Sequence, residues 1–271
     1  MKQLILGTAL GRIGIITRDK FQLLRDVFSV TESIGTTSND QLASLLVTRL
    51  CESGHTFIDV GAHIGSIISE VRHNDITIKI IAVEAMPDKA LKLRQKFPDV
   101  EIHEYAAGES EGEISFYINT IKSGYSSLGK PAEEHKSNIR EITVSLARLD
   151  NLVSSNDIDV IKIDVEGAEL GVLRGCVNII NNNRPVIMFE SAPPQNDGLG
   201  YSKEEMWEFF TAHDYEIVVP NRVAHNGQGL SKEGFIESHV YPRRTTNYFA
   251  IPAERRVEIR NRARNILNIS V

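Results

Sequence analysis

The feature that most constrains this chain is its alternation of short apolar runs with helically spaced stretches. Thr56–Val60 is apolar and β-branched, and residues 64–72 follow with helical spacing. Residues 76–83, "ITIKIIAV", read as a second strand. Pro87 suits the first turn of the next helix, Ala90, Leu93 and Phe97 share one of its faces, and Pro98 ends it. Residues 100–105, 160–165 and the run "RPVIMFES" read as further strands, with Leu170, Leu173, Val177 and Ile180 marking one helical face between the last two. Ser202 caps a helix with acids in its first turn, a strand follows, and "TTNYFAIP" ends the core. This order implies an α/β fold, a mostly parallel sheet with helices on both faces. Open sheets of this kind bind ligands beyond the carboxyl ends of their strands.

The rhythm breaks after the third strand. "AAGESEGEISFYI" holds a Gly-rich turn and then alternation, with Ile114, Phe116 and Ile118 on one side and Ser115 and Tyr117 on the other, the pattern of a half-buried antiparallel strand. The polar run "KSGYSSLGKPAEEHKSN" reads as a long loop, in which Tyr125, Ser126 and Ser127 are placed to form a lid. "ITVSLARLDNLV" resumes a strand and leads into a short helix.

The strand ends are acidic. Asp59 precedes Gly61 and Gly65 after the first strand, Glu84 follows the second, Asp164 and Glu166 follow "VIKI", and Glu190 ends "VIMFE". Unpaired carboxylates cost several kcal/mol each to bury, so ends like these face water or a polar ligand. Strand alternation puts Lys162, Asp164 and Glu166 on one face, where Lys162 offsets the two acids. A salt-bridge network holding the following helix is the competing reading of that trio. A divalent metal on Asp164, Glu166 and Glu190 has carboxylate chemistry in its favour but no tight ligand spacing, and none is expected.

The loop D-x-G-A-x-x-G lacks one glycine of the dinucleotide fingerprint and carries an acid where a pyrophosphate would be repelled. Glu84 follows the loop by about 20 residues, the separation at which an acid takes the hydroxyls of a ribose. A ribose, no pyrophosphate and a cationic amino-acid end describe S-adenosyl-L-methionine. The glycines let backbone approach the cofactor, and Asp59 orients either the loop or the cofactor's ammonium. A bare strand-to-helix turn is the alternative for the loop, and a surface acid for Glu84.

With "FIDVGAHIG", "VEAMP", "YAAGESEGEISFY", "SSL", "LARLDNL", "DVIKIDVEGAELGVLRG", "RPVIMFE" and "TNYFAIP" in this order, residues 50–252 resemble the FkbM family of S-adenosylmethionine-dependent methyltransferases. The resemblance implies a class I Rossmann-like fold, a seven-stranded sheet with its last strand antiparallel and extra β-hairpin elements after the third strand. It also implies methyl transfer to oxygen on a saccharide or secondary metabolite. The expected cofactor-binding residues are Asp59, Gly61, Ala62, His63, Gly65, Glu84, Ala85, Ala107 and Asp164. Catalytic candidates are Asp164, Glu166 and Glu190, because an alcohol is a weak nucleophile and needs a base at its proton. His63 stands where the family commonly has Asn. N-methylation of a peptide amide or amine, and an inactive binding module on the same fold, are the alternatives.

Composition narrows the partners. The 271 residues carry a net charge of −6, which disfavours general nucleic-acid binding. Apolar residues are 41% and charged residues 24%, as in globular proteins. No apolar run is long enough to cross a bilayer, and the faintly leader-like start is interrupted by Arg12 and glycines, so a cytoplasmic location is expected. Cys51 and Cys176 fall in predicted helices as free, buried thiols. His225 lies in a polar loop where it can flank an acceptor. Three segments are expected: an N-terminal helical or irregular arm (1–50), the methyltransferase domain (51–252) and a basic amphipathic helix (253–271). That helix places Ile259, Ala263, Ile266 and Leu267 on one face with five arginines around it, and packs on its own domain, on a second subunit in a homodimer, or on an anionic surface.

Overall fold

A computed structural model of the chain describes residues 9–29, 33–119, 139–191, 199, 201–240 and 242–269. Tyr125, Ser126 and Ser127 lie outside these residues. In chain order the elements are α1 (Ala9–Phe28), α2 (Ile34–Leu50), β1 (Thr56–Val60), α3 (Ser66–Asn74), β2 (Lys79–Val83), α4 (Pro87–Lys96), β3 (Glu101–His103), β4 (Ala106–Ala107), β5 (Gly112–Asn119), β6 (Ile139–Ala147) and α5 (Leu149–Leu152). They continue with β7 (Ile158–Ile163), α6 (Glu169–Arg174), α7 (Val177–Asn183), β8 (Val186–Glu190), α8 (Lys203–Ala212), β9 (Tyr215–Val218), α9 (Lys232–Glu237), β10 (Asn247–Pro252) and α10 (Arg256–Leu267).

Seven strands form one sheet in the order β3-β2-β1-β7-β8-β10-β9. β1, β2, β3, β7 and β8 are parallel, and β10 runs antiparallel between β8 and β9. The order reverses between β1 and β7, which is the switch point where such sheets bind ligands. A second sheet, β4-β6-β5, pairs β5 and β6 antiparallel and contains the expected hairpin elements.

Alternating strand residues feed two cores, because successive Cβ atoms leave opposite faces of a strand. Ile58, Val60, Ile161, Ile163, Ile187 and Phe189 pack under α6 to α9 with Leu173, Ile180, Phe210 and Phe235. Phe57, Ala82, Val160 and Met188 pack on the other face under α2, α3, α4 and α10 with Leu46, Ile68, Leu93 and Ile259. Phe116 and Val144 of the small sheet form a third cluster with Met86 and Ala168, placed over the carboxyl ends of the main strands.

Several sequence expectations are corrected. The second strand begins at Lys79, because the Asp75 carboxylate accepts the Thr77 amide and hydroxyl in a local turn that leaves Ile76 exposed. The helix expected through Leu170, Leu173, Val177 and Ile180 is two helices. Gly175 interrupts it, seated so close to the Gly108 carbonyl that a Cβ would lie 1.9 Å from the oxygen. Asp150 restarts the chain by accepting the Asn178 and Ile179 amides at 3.1 and 3.0 Å. Cys176 therefore sits at the break and Cys51 just past α2; both are buried and free, as expected of their side chains. α2, expected in an arm, buries Ala43, Leu46, Val47 and Leu50 in the core. α10 buries Ile259 and Ala263 against its own domain, and all five of its flanking arginines bond there: Arg255 and Arg262 to Asp159, Arg256 and Arg264 to the Val223 and Ala224 carbonyls, Arg260 to Asn226. Among the described residues no helix is long and apolar enough to cross a membrane.

Candidate active site

At the end of β1 the polar groups are buried and paired. Asp59 and Lys162 are register partners on adjacent parallel strands, both on the α2–α4 face. Lys162 Nζ is 3.2 Å from Asp59 Oδ1 and 3.3 Å from Asp164 Oδ2, and donates to the Gly61 carbonyl at 3.0 Å. Burial alone pushes the Asp59 carboxyl up and the Lys162 ammonium down. Asp164 and Asp59 together reverse that for Lys162 and hold it charged.

The two loop glycines are required by packing. Both sit at φ +79, a left-handed conformation that favours glycine. A Cβ on Gly61 would lie 1.9 Å from the Asp164 carbonyl oxygen, and one on Gly65 would lie 2.5 Å from the Phe97 ring. The loop's amides are spent within the chain: those of Gly61 and Ala62 on the Val83 carbonyl, that of His63 on Glu84, that of Gly65 on the Ala62 carbonyl. No nest of free N–H groups remains at these positions for a pyrophosphate.

Glu84 closes the next strand. Its two oxygens accept from the His63 amide at 2.7 Å and from the Met86 amide at 2.9 Å, so one carboxylate joins the glycine loop to the start of α4. Burial raises its pKa, against the pull of the Lys89 charge and the two amides. His63 is left-handed, at φ +51, where Asn is favoured and His tolerated, which accounts for the substitution at this position. Burial, with Lys89 and Lys162 nearby, lowers its pKa to about 4, so the ring is neutral at pH 7. Its buried Nε2 has no hydrogen-bond partner in the described structure.

At the ends of β7 and β8 the carboxylates crowd. The Asp164 amide extends the sheet to the Val60 carbonyl; Glu166 at φ +55 and Gly167 at φ +98 then swing the chain away, and Glu169 accepts the Val165 and Gly167 amides. Glu166 therefore lies in a turn beyond the strand, and the expected alternation ends at Asp164. Carboxylate oxygens of Asp164, Glu166 and Glu190 nevertheless lie within 4.8 Å of one another, a proximity their sequence separations conceal. Glu190 is hydrogen-bonded to Asp164. Burial and the neighbouring Asp164 charge push Glu190 far up, while Lys162 and the bond from Glu190 hold Asp164 down despite burial. The pair thus shares one proton, carried by Glu190. Burial, Asp164 and Glu169 raise Glu166 to about 7.

These ends open on a shared cleft, with a cavity volume of about 100 Å³. Of the residues expected in the site, Gly61, His63, Glu84, Ala85, Ala107, Asp164 and Glu166 line it. Asp59, Ala62 and Gly65 stand behind the wall, and Glu190 flanks it through Asp164. His225 is exposed, and its carbonyl is bonded to Arg256. The structure adds Lys89, Tyr105, Ala106, Phe116 and Val165 to the lining. Phe116 was legible only as the buried face of a hairpin strand, and Lys89 as one lysine of a charged helix.

In sequence, no curated protein matches this chain. Among solved structures it is similar to the precorrin-6y C5,15-methyltransferase of Geobacter metallireducens (16% identity, TM-score 0.39, 65% of this chain and 72% of that one). It is also similar to a putative rRNA methylase of Clostridium thermocellum (7%, 0.43, 76% and 90%) and to a TehB-like SAM-dependent methyltransferase of Corynebacterium glutamicum (12%, 0.40, 78% and 85%). At such identities and scores these likenesses say nothing of activity. The methyltransferase FkbM domain, by contrast, matches residues 59–217, more than half of the chain, from the acid of β1 to the middle of β9. On that match the chain belongs to the FkbM family of S-adenosylmethionine-dependent methyltransferases.

Proposed function

We propose that the chain methylates a hydroxyl oxygen on a saccharide or secondary metabolite, with Asp164 as the base. The observation that carries this is the carboxyl pair at the cleft: Asp164 faces it with Lys162 3.3 Å away, and Glu190 stands behind, hydrogen-bonded to Asp164, where burial and the Asp164 charge raise it while Lys162 holds Asp164 down. An alcohol oxygen gains nucleophilicity when a carboxylate accepts its proton during attack, and Lys162 keeps Asp164 ready to do so. A protonated neighbour adds a donor that steadies the charge on Asp164. Glu166 stands at the same opening and sets the charge that an entering acceptor meets.

The residues present fit the cofactor. Glu84 reaches the cleft with lone pairs beyond the two its amide bonds occupy, enough for ribose hydroxyls. The loop offers no anion nest at Gly61, Ala62, His63 or Gly65, which suits a ligand without phosphate. Gly61, His63, Ala85 and Ala107 form wall, while Asp59, Ala62 and Gly65 hold that wall from behind, Asp59 through Lys162. S-Adenosylmethionine supplies a methyl group on a good leaving group. The chain's own task is to hold the acceptor in line and take its proton.

The test is a screen of saccharide and natural-product hydroxyls against peptide amines, using labelled cofactor. Label on an oxygen that is lost in Asp164→Asn supports the reading; label on a peptide nitrogen overturns it.

A further inference from the structure

α1 is fastened to the body by its polar side. The buried Asp26 accepts from the Thr37 hydroxyl at 2.6 Å, Gln41 donates to the Asp19 carbonyl at 2.7 Å, and Leu23 lies half-buried between. Residues 19, 23 and 26 recur at helical spacing and define the inward face. The outward face carries Phe21, Leu24 and Phe28 with 70%, 53% and 82% of their surface exposed, and Val27 beside them. A helix on a protein surface ordinarily turns its apolar stripe inward; this one is inverted, and contiguous exposed aromatics mark an interaction face.

The charges around the stripe identify what covers it. Arg18, Lys20 and Arg25 border it and are exposed; of the segment's two acids, the half-exposed Asp19 pairs with Arg18 at 2.7 Å and the buried Asp26 reaches Arg25 at 3.3 Å, so the segment carries more cations than acids. Arg243 and Arg244, also exposed, are tied to the start of α2 through their carbonyls, which accept from Thr36 and Asn39 at 2.6 and 2.8 Å. The rim is thus cationic on a chain whose net charge is −6. A second copy pairing through this stripe would set Lys20, Arg243 and Arg244 against their own counterparts, with only the half-exposed Asp19, already paired with Arg18, as an acid on this side of the helix. An anionic bilayer answers both features: the phenylalanines sink to the acyl boundary and the lysine and arginines meet lipid phosphates.

We propose that α1 seats the protein on an anionic lipid surface without crossing it. The seat is joined to the catalytic end of the sheet, because Asp40 of α2 accepts from Thr245, Thr246 and Asn247, and Asn247 is the register partner of Glu190.

The test is sedimentation of the full chain with phosphatidylcholine vesicles, with and without phosphatidylglycerol. Co-sedimentation is expected only with the anionic lipid and weakens as salt rises. Phe21→Ser with Phe28→Ser should reduce it about tenfold or more, and Lys20→Glu with Arg25→Glu likewise. Both pairs are exposed, and unchanged cofactor binding by calorimetry verifies that the variants are folded. No binding by the wild type overturns the proposal, as does binding that survives Phe21→Ser with Phe28→Ser. A dimer in sedimentation equilibrium that these serines dissolve, without vesicle binding, assigns the face to a second copy and overturns it too.

Discussion

The two halves of the cleft solve opposite problems. Around β1 and β2 the charged groups are matched: Asp59 by its ion pair with Lys162, Lys162 by the Gly61 carbonyl, both oxygens of Glu84 by amides, with His63 Nε2 left unbonded among the described residues. Around β7 and β8 three carboxylates share one opening, and Asp164 and Glu190 share a proton. The first half is a rigid mount. The second sets Glu166 and Glu190, at elevated proton affinity, beside an Asp164 held ionised, which suits a cluster that must pass protons. Lys162 belongs to both, standing between Asp59 and Asp164.

The largest effect is expected at that shared group. Lys162→Met leaves Asp59, which has no exposed surface, as an unpaired buried acid, and should cost about 4 kcal/mol of stability, read from urea unfolding. Adding Asp59→Asn should restore part of the loss. If the single variant unfolds at the wild-type midpoint, the first half is not held by this ion pair. Next, Asp164→Asn should lower kcat about a hundredfold, roughly 3 kcal/mol, with cofactor affinity nearly unchanged. Equal losses in kcat and in calorimetric affinity would erase the division between mount and acid cluster. Smaller again, Glu84→Gln keeps the shape but weakens acceptance from ribose hydroxyls, and cofactor affinity should fall by roughly 1–2 kcal/mol with kcat preserved at saturation.

The same division governs what could be read from the residues alone. The parallel sheet and the mount were legible because glycines at left-handed positions, an acid after the second strand and β-branched runs are each demanded by backbone geometry. The reason for the glycines was not: they admit the Asp164 carbonyl and the Phe97 ring, contacts between segments distant in sequence. Asp150 illustrates the same limit. It looks like an ordinary first-turn acid of a short helix, yet it caps α7, 28 residues on. The meeting of Asp164, Glu166 and Glu190 depends on β7 and β8 lying side by side and on a left-handed turn at Glu166, an unfavourable conformation that no residue preference announces. Lys89, Tyr105 and Phe116 enter the cleft wall only because the small sheet folds over the strand ends. Helix α1 falls in the segment expected only as a helical or irregular arm; that it turns its polar side inward and its phenylalanines outward no sequence pattern announced.

The smallest effect probes the crowding directly. Burial, with Asp164 and Glu169 close by, raises Glu166 from its ordinary 4.5 to about 7. Between those values the folded chain still holds a proton that the unfolded chain has released. Its contribution to stability is therefore complete below pH 4.5 and is lost as pH rises through 7. The side chain is partly open to solvent, so screening reduces this to about 1 kcal/mol between pH 5 and pH 8. Glu84 and Asp59 are also raised and tilt stability the same way in both proteins compared, whereas Glu190, raised in part by Glu166, relaxes with it and moves the gap in the same direction. The gap between wild type and Glu166→Gln reports Glu166 and its push on Glu190: the variant should gain on the wild type as pH rises, shown by urea midpoints at the two pH values. A constant gap would mean that Glu166 ionises as a free surface acid does. The second half would then be two interacting carboxyls rather than three, leaving the Asp164–Glu190 pair alone to supply the base.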